Sequence, residues 1–178
     1  MKRWVFLPLV LFLAMVGFLA AGLTRNPQDI PSPLIGRAAP TFQLPRMNAS
    51  GQFHTADFKG QLTLVNFWAT WCGPCVKELP HFEQLNSGNK NIKVVLVSLD
   101  FKNQFESKLL PFLKKKSIKS EVVLLTDTNY NSWLPLVDKD WSGSIPATLI
   151  IKNGQQFFVE KIFSNYEELN TYVSKIIN

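Results

Sequence analysis

Cys72 and Cys75 are the only cysteines in the 178-residue chain, and they sit three positions apart in Trp71-Cys72-Gly73-Pro74-Cys75. Two thiols at that spacing can switch between dithiol and disulfide, exchanging electrons with another protein through a mixed disulfide. A purely structural bridge is a poorer account, because closing so short a loop constrains the unfolded chain little. Exported disulfide scaffolds also carry more cysteines than this.

Exchange needs a thiolate, so the elements around the pair matter. Residues 62–68 are rich in β-branched and aromatic side chains and read as a buried strand. After the motif, Val76, Leu79, Phe82 and Leu85 recur at helical spacing, and Pro74 suits a first helical turn, where a missing N–H costs nothing. Strand, tight turn and helix therefore put the cysteines at a helix N-terminus. Free backbone N–H groups and the positive end of the dipole lower a thiol there from about 8.5 by a unit or more. The first cysteine of such a turn projects outward and the second is covered by the helix. Cys72 is expected to attack, and Cys75 to resolve the mixed disulfide.

The stretch from Asn66 to Cys75 resembles the thioredoxin-like superfamily, in particular its TlpA/ResA/CcmG branch. Pro80, five residues after Cys75, falls where such helices carry a kinking proline. Ser144-Ile145-Pro146-Ala147-Thr148 looks like the family's cis-proline loop, which packs beside the dithiol and offers backbone groups to a substrate peptide. The resemblance thus implies Trp71, Ile145 and Pro146 as substrate-binding residues. It also exposes a departure: the aspartate that thioredoxins bury six residues before the first cysteine is Asn66 here, and an amide cannot shuttle a proton. Glu78, about one helical turn past Cys75, matches a glutamate of ResA-like proteins and is the expected catalytic replacement. A solvated helix carboxylate is the alternative reading of Glu78.

At the amino terminus, Met1-Lys2-Arg3 precedes about twenty uncharged residues, Trp4 to Leu23, long enough for a transmembrane helix. The Leu19-Ala-Ala21 neighbourhood fits a cleavage site poorly, so residues 1–25 are expected to be an uncleaved signal anchor. Lys2 and Arg3 keep the terminus in the cytoplasm by the positive-inside rule and export the rest. Residues 26–33, polar and proline-rich, read as a linker, and 34–178 as one thioredoxin-like domain. Segments 34–45 and 51–55 suggest an added N-terminal β-hairpin. With the anchor, this opening resembles the CcmG/DsbE family, the membrane-tethered thiol:disulfide interchange proteins of cytochrome c maturation.

Beyond residue 60 the expected order is strand 62–68, helix 74–86, strand 92–99, helix 103–116, strand 121–126, strands 147–151 and 156–162, and helix 165–177. That alternation predicts an α/β fold, a mixed central sheet with helices on both faces. Asn153-Gly154 is a strong two-residue hairpin turn. An extra segment between Asp127 and Asp140 is expected to add one short helix. Trp133 and Trp141 read as packing residues.

Charge argues against nucleic acid as a partner. The 19 basic residues, less Lys2, Arg3 and Arg25, face 13 acidic ones, leaving a domain charge of only about +3. The run Lys114-Lys-Lys116 is expected to be a solvated helix end.

The Gly-Pro interior of the motif resembles that of thioredoxin, a reductant near about −270 mV. The resemblance therefore implies a monomeric reductase in the periplasm, anchored by a single pass in the bacterial inner membrane. Its partners would be protein disulfides, apocytochrome c CxxCH thiols before haem attachment among them, and an integral-membrane electron donor of the DsbD/CcdA type. No cofactor is expected beyond the Cys72–Cys75 disulfide, and no metal. The alternatives are a general TlpA/ResA-like reductase of another pathway, or a copper-handling metallochaperone using the cysteines with His54 and His81. Against the latter, His81 lies on a different helix face from Cys75 and His54 belongs to a distant hairpin. A peroxidase is disfavoured because no Pro-x-x-x-Thr/Ser-x-x-Cys pattern ends at Cys72.

Overall fold

The computed structural model describes residues 7–23, 43–45, 52–54 and 61–177. The chain forms two units, residues 1–31 and 32–178. In the first, α1 (Leu7–Leu23) is a 17-residue helix free of charged side chains. Its residues 7–20 are exposed. Among the described residues no helix is long and apolar enough to cross a membrane. The expected span starts at Trp4, outside the described residues, and so does the whole expected linker 26–33.

In the second unit, β1 (Gln43–Pro45) pairs antiparallel with β2 (Gln52–His54), with Gln43 opposite His54. The remainder of the expected hairpin, including residues 34–42, lies outside the described residues. The main sheet contains β3 (Leu62–Trp68), β4 (Ile92–Ser98), β5 (Glu121–Leu124), β6 (Ala147–Lys152) and β7 (Gln155–Val159), in the spatial order β5-β4-β3-β6-β7. β3, β4 and β5 run parallel, and β6 and β7 are added antiparallel, so the sheet is mixed. Asn153 and Gly154 take φ of 51° and 83°, the left-handed pair that a type I′ turn requires between β6 and β7.

Alternation along the strands divides the core. Leu64 and Trp68 of β3, Leu96 of β4 and Ile150 of β6 face one side, where α2 (Gly73–Gly88) contributes Cys75, Leu79, Phe82 and Leu85 and α5 (Tyr166–Ile177) contributes Leu169 and Val173. Val65 and Phe67 of β3, with Val95, Val97 and Leu149, face the other side, covered by Trp133 of α4 (Tyr130–Val137) and by Trp141. The fold is thioredoxin-like, with helices on both faces of a mixed sheet.

One predicted element is divided. Instead of one helix over 103–116, residues Lys102–Gln104 form a 3₁₀ turn, Phe105–Leu109 a π turn, and α3 covers only Leu110–Lys115. Pro111 explains the break: it has no N–H, and its ring collides with the carbonyl four residues back in regular α geometry. The wider turn, with the Leu110 N–H bonded to the Phe105 carbonyl, absorbs that conflict. Strands β5 and β7 also end earlier than expected, at Leu124 and Val159.

Candidate active site

β3 ends at Trp68, the chain turns through Ala69 to Trp71, and α2 begins at Gly73 with Cys72 as its N-cap. The Cys72 N–H closes the turn on the Ala69 carbonyl at 3.1 Å, and the Cys72 carbonyl accepts the Val76 N–H at 3.0 Å. The helix N-terminus is also aimed at the sulfur: the Cys75 N–H donates to Cys72 Sγ at 3.3 Å. In the reduced protein that bond, with the dipole behind it, favours the Cys72 thiolate.

Cys72 and Cys75 form a disulfide, with their Cα atoms 5.3 Å apart. Cys72 is 7% exposed and Cys75 wholly buried, so an incoming sulfur meets Cys72 first. Trp71, beside it, is more than half exposed. The Ile145–Pro146 peptide is cis, and the Ile145 carbonyl lies 3.8 Å from Cys72 Sγ. Pro146 is buried and Ile145 half-buried. β3 and β6 are antiparallel, so the end of β3 and the start of β6 share one edge, and residues more than seventy positions apart meet there.

Below the disulfide lies Glu78, which has no exposed surface and is therefore not a solvated helix carboxylate. Its Oε1 accepts from Asn66 Nδ2 at 2.9 Å and its Oε2 from the Phe163 N–H at 3.1 Å. Burial pushes its carboxyl from 4.5 up to about 7, against the opposing pull of those two N–H donors. A carboxyl poised there can hold or release a proton at neutral pH. Asn66 Nδ2 also donates to Thr148 Oγ1 at 3.3 Å, leaving Asn66 Oδ1 without a hydrogen-bond partner among the described residues.

Sequence reasoning read Asn66 only as a missing aspartate. The structure makes it the amide that holds Glu78, and Thr148 its neighbour across the β3–β6 ladder. A polar residue inside an apolar strand was a signal for Asn66, whereas Thr148 and the Phe163 N–H needed the register and the chain path. A cavity of about 260 Å³ lies past the ends of β4 and β5, lined by Leu99, Asp100, Phe101, Leu125 and Tyr130 among others. Neither cysteine borders it.

Among the described residues no three His, Cys, Asp or Glu side chains are placed to share a metal ion. His81 is partly exposed on α2, and the side chain of His54 lies outside the described set.

The AhpC/TSA family model matches residues 35–156. The chain is 38% identical over 104 residues to the thiol:disulfide interchange protein DsbE of Pseudomonas fluorescens biotype C, covering 58% of this chain and 56% of that protein. It is 37% identical over 123 residues to the protein of the same name from Escherichia coli strain K12, covering 65% of this chain and 64% of that one. The matches thus span less than two thirds of those relatives. Among solved structures, a thiol:disulfide interchange protein of the thioredoxin family from Chlorobium tepidum TLS superposes with a TM-score of 0.66 at 21% identity, covering 80% of this chain and 97% of that one. At that identity the likeness speaks to the fold.

Proposed function

The chain belongs to the AhpC/TSA family, and from that premise we propose that it is a membrane-tethered thiol:disulfide oxidoreductase that reduces disulfides in other proteins. The observation that carries this reading is Cys72 at the N-cap of α2, its sulfur facing the Cys75 N–H on one side and the Ile145 carbonyl on the other. The names of the DsbE relatives support it.

In the reduced enzyme the Cys72 thiolate attacks one sulfur of a substrate disulfide, forming a mixed disulfide and releasing the other substrate sulfur as a thiolate. Cys75, once deprotonated, attacks Cys72 Sγ, expels the second substrate thiolate and leaves the Cys72–Cys75 disulfide. Two electrons pass from the enzyme dithiol to the substrate, whose thiolates take up two protons. Glu78 accepts the Cys75 proton, which a group tuned to about 7 can do at neutral pH. Substrate backbone pairs with the Ile145–Pro146 loop, and Trp71 offers an apolar shelf.

The cycle closes when an integral-membrane dithiol donor of the DsbD/CcdA type reduces the disulfide again. In this reading residues 1–25 anchor the chain in the bacterial inner membrane, 26–33 link, and the domain works in the periplasm. The apolar α1 and the charges Lys2 and Arg3 support that arrangement. The substrate class is apocytochrome c, whose CxxCH thiols must be free before haem is attached.

The test is the equilibrium reduction potential of the pair, titrated against a dithiol buffer. A value near or below about −220 mV is expected. One near about −120 mV would make the protein a disulfide donor and overturn the proposal.

A further inference from the structure

We infer that Asp100 is a positioning residue for Cys72, clamping the turn that presents the reactive sulfur. The inference rests on the exchange chemistry proposed above, to which it adds a residue outside the motif.

Asp100 follows β4 by two residues and is 2% exposed. Its carboxylate is surrounded by donors. Oδ2 accepts the Thr70 N–H at 3.0 Å and the Ser98 hydroxyl at 2.8 Å, and Oδ1 accepts the Thr70 hydroxyl at 2.5 Å. Ser98 Oγ in turn accepts the Asp100 N–H at 3.1 Å, which fixes the carboxylate on its own strand end. Thr70 gives both its backbone and side-chain donors to this one group. Thr70 lies inside the turn that the Cys72 N–H closes on Ala69, and the Leu99 N–H bonds the Trp68 carbonyl at 2.8 Å just before it. The exit of β4 therefore holds the exit of β3 at successive points up to two residues from Cys72.

A buried carboxylate is a costly way to tie a loop, since desolvation must be offset by every hydrogen bond it receives. Apolar packing would close the same gap without fixing an angle. What the bidentate grip on Thr70 supplies is orientation. The Cys75 N–H can reach Cys72 Sγ only while Cys72 keeps its N-cap geometry, φ −86° and ψ 101°. Releasing Thr70 lets the turn swing and moves the sulfur off the helix axis, where the dipole acts on it less.

The experiment is the pH profile of Cys72 alkylation by iodoacetamide in the reduced full-length chain, from about pH 5 to about pH 9, read peptide by peptide. Asp100→Ala is expected to raise the midpoint by roughly half a pH unit and to slow the reaction at pH 7 about threefold. Thr70→Val keeps the backbone donor and loses the hydroxyl, so it shifts the midpoint the same way by less. Asp100→Asn removes the same charge as Asp100→Ala but keeps an acceptor for the Thr70 N–H and an amide donor for Thr70 Oγ1, so its midpoint is expected below that of Asp100→Ala. If Asp100→Ala does not fold, Thr70→Val and Asp100→Asn carry the comparison. Profiles identical to wild type in folded variants, with only a lower Tm, would overturn the inference. A wild-type reduction potential near about −120 mV would instead overturn the functional reading, so the two failures are told apart.

Discussion

The two faces of the central sheet are built from the same strands and solve different problems. On the side away from the cysteines, Phe67 packs against Trp141 at 4.6 Å and Trp133 at 6.4 Å between ring centres. Both indoles there are satisfied by backbone carbonyls, Trp133 by Asp127 at 3.1 Å and Trp141 by Ser144 at 2.9 Å. On the dithiol side, an acid and an amide are buried outright, and Asn66 Oδ1 and Trp68 Nε1 have no hydrogen-bond partner among the described residues. A buried polar atom left unpaired costs on the order of 1–3 kcal/mol. Gln156 Nε2, opposite Ile151 on the aromatic face, is likewise without a partner among the described residues. What the dithiol face has in addition is the buried, hydrogen-bonded pair Glu78 and Asn66. The lesson is that a buried acid held by a buried amide, rather than the count of unpaired atoms, distinguishes the dithiol side of the sheet.

The contrast predicts that changes on the dithiol face alter thiol exchange or proton uptake, whereas changes on the aromatic face alter stability without touching either. The largest effect belongs to Cys75→Ser. It should abolish catalytic turnover and leave mixed disulfides trapped on Cys72, visible on non-reducing gels; efficient turnover without Cys75 would dissolve the assignment of roles. Next is Phe67→Ala, which empties the space between the two indoles and should cost about 3–5 kcal/mol in urea unfolding. The reduction potential of that variant should match wild type. A shifted potential would mean the faces are not separable.

The third prediction is a pH dependence. Glu78 ordinarily titrates at 4.5 and in the folded chain at about 7, raised by burial. Between those values the folded state holds a proton that the unfolded state has released. Stability from this group is thus full below about pH 4.5 and lost as pH rises through about 7, by up to about 3 kcal/mol. Glu78→Gln in the oxidised protein should flatten that slope, measured as the urea midpoint against pH. Equal slopes in wild type and variant would place the titrating group elsewhere.

Much of this arrangement was legible in the sequence because it is local. The cysteines, Pro74 and the apolar stripe of α2 announce a helix N-terminus by spacing alone, and Asn153-Gly154 announces its turn. What could not be read was whatever depends on register. Asn66 meets Thr148 because β3 and β6 pair in one of several possible alignments, and Phe163 reaches Glu78 because β7 ends at Val159. The broken helix before Lys116 was readable in principle, since Pro111 forbids a regular helix, but helical spacing of Leu109, Phe112 and Leu113 masked it. The grip of Asp100 on Thr70 has no local signature, as it joins two strand exits thirty residues apart.

The antiparallel pairing of β3 with β6 also sets a timetable for synthesis. The redox pair is complete once residue 75 has been made, yet the strand that carries Thr148 and the amide of Phe163 come more than seventy residues later. A nascent chain emerging from the ribosome or a translocation channel therefore displays a competent dithiol before it owns the loop that would receive a substrate or the donor that helps hold Glu78. During that interval the thiols are open to oxidation or to pairing with other unfinished chains. Reducing conditions on the side of synthesis would protect the molecule until its last third arrives.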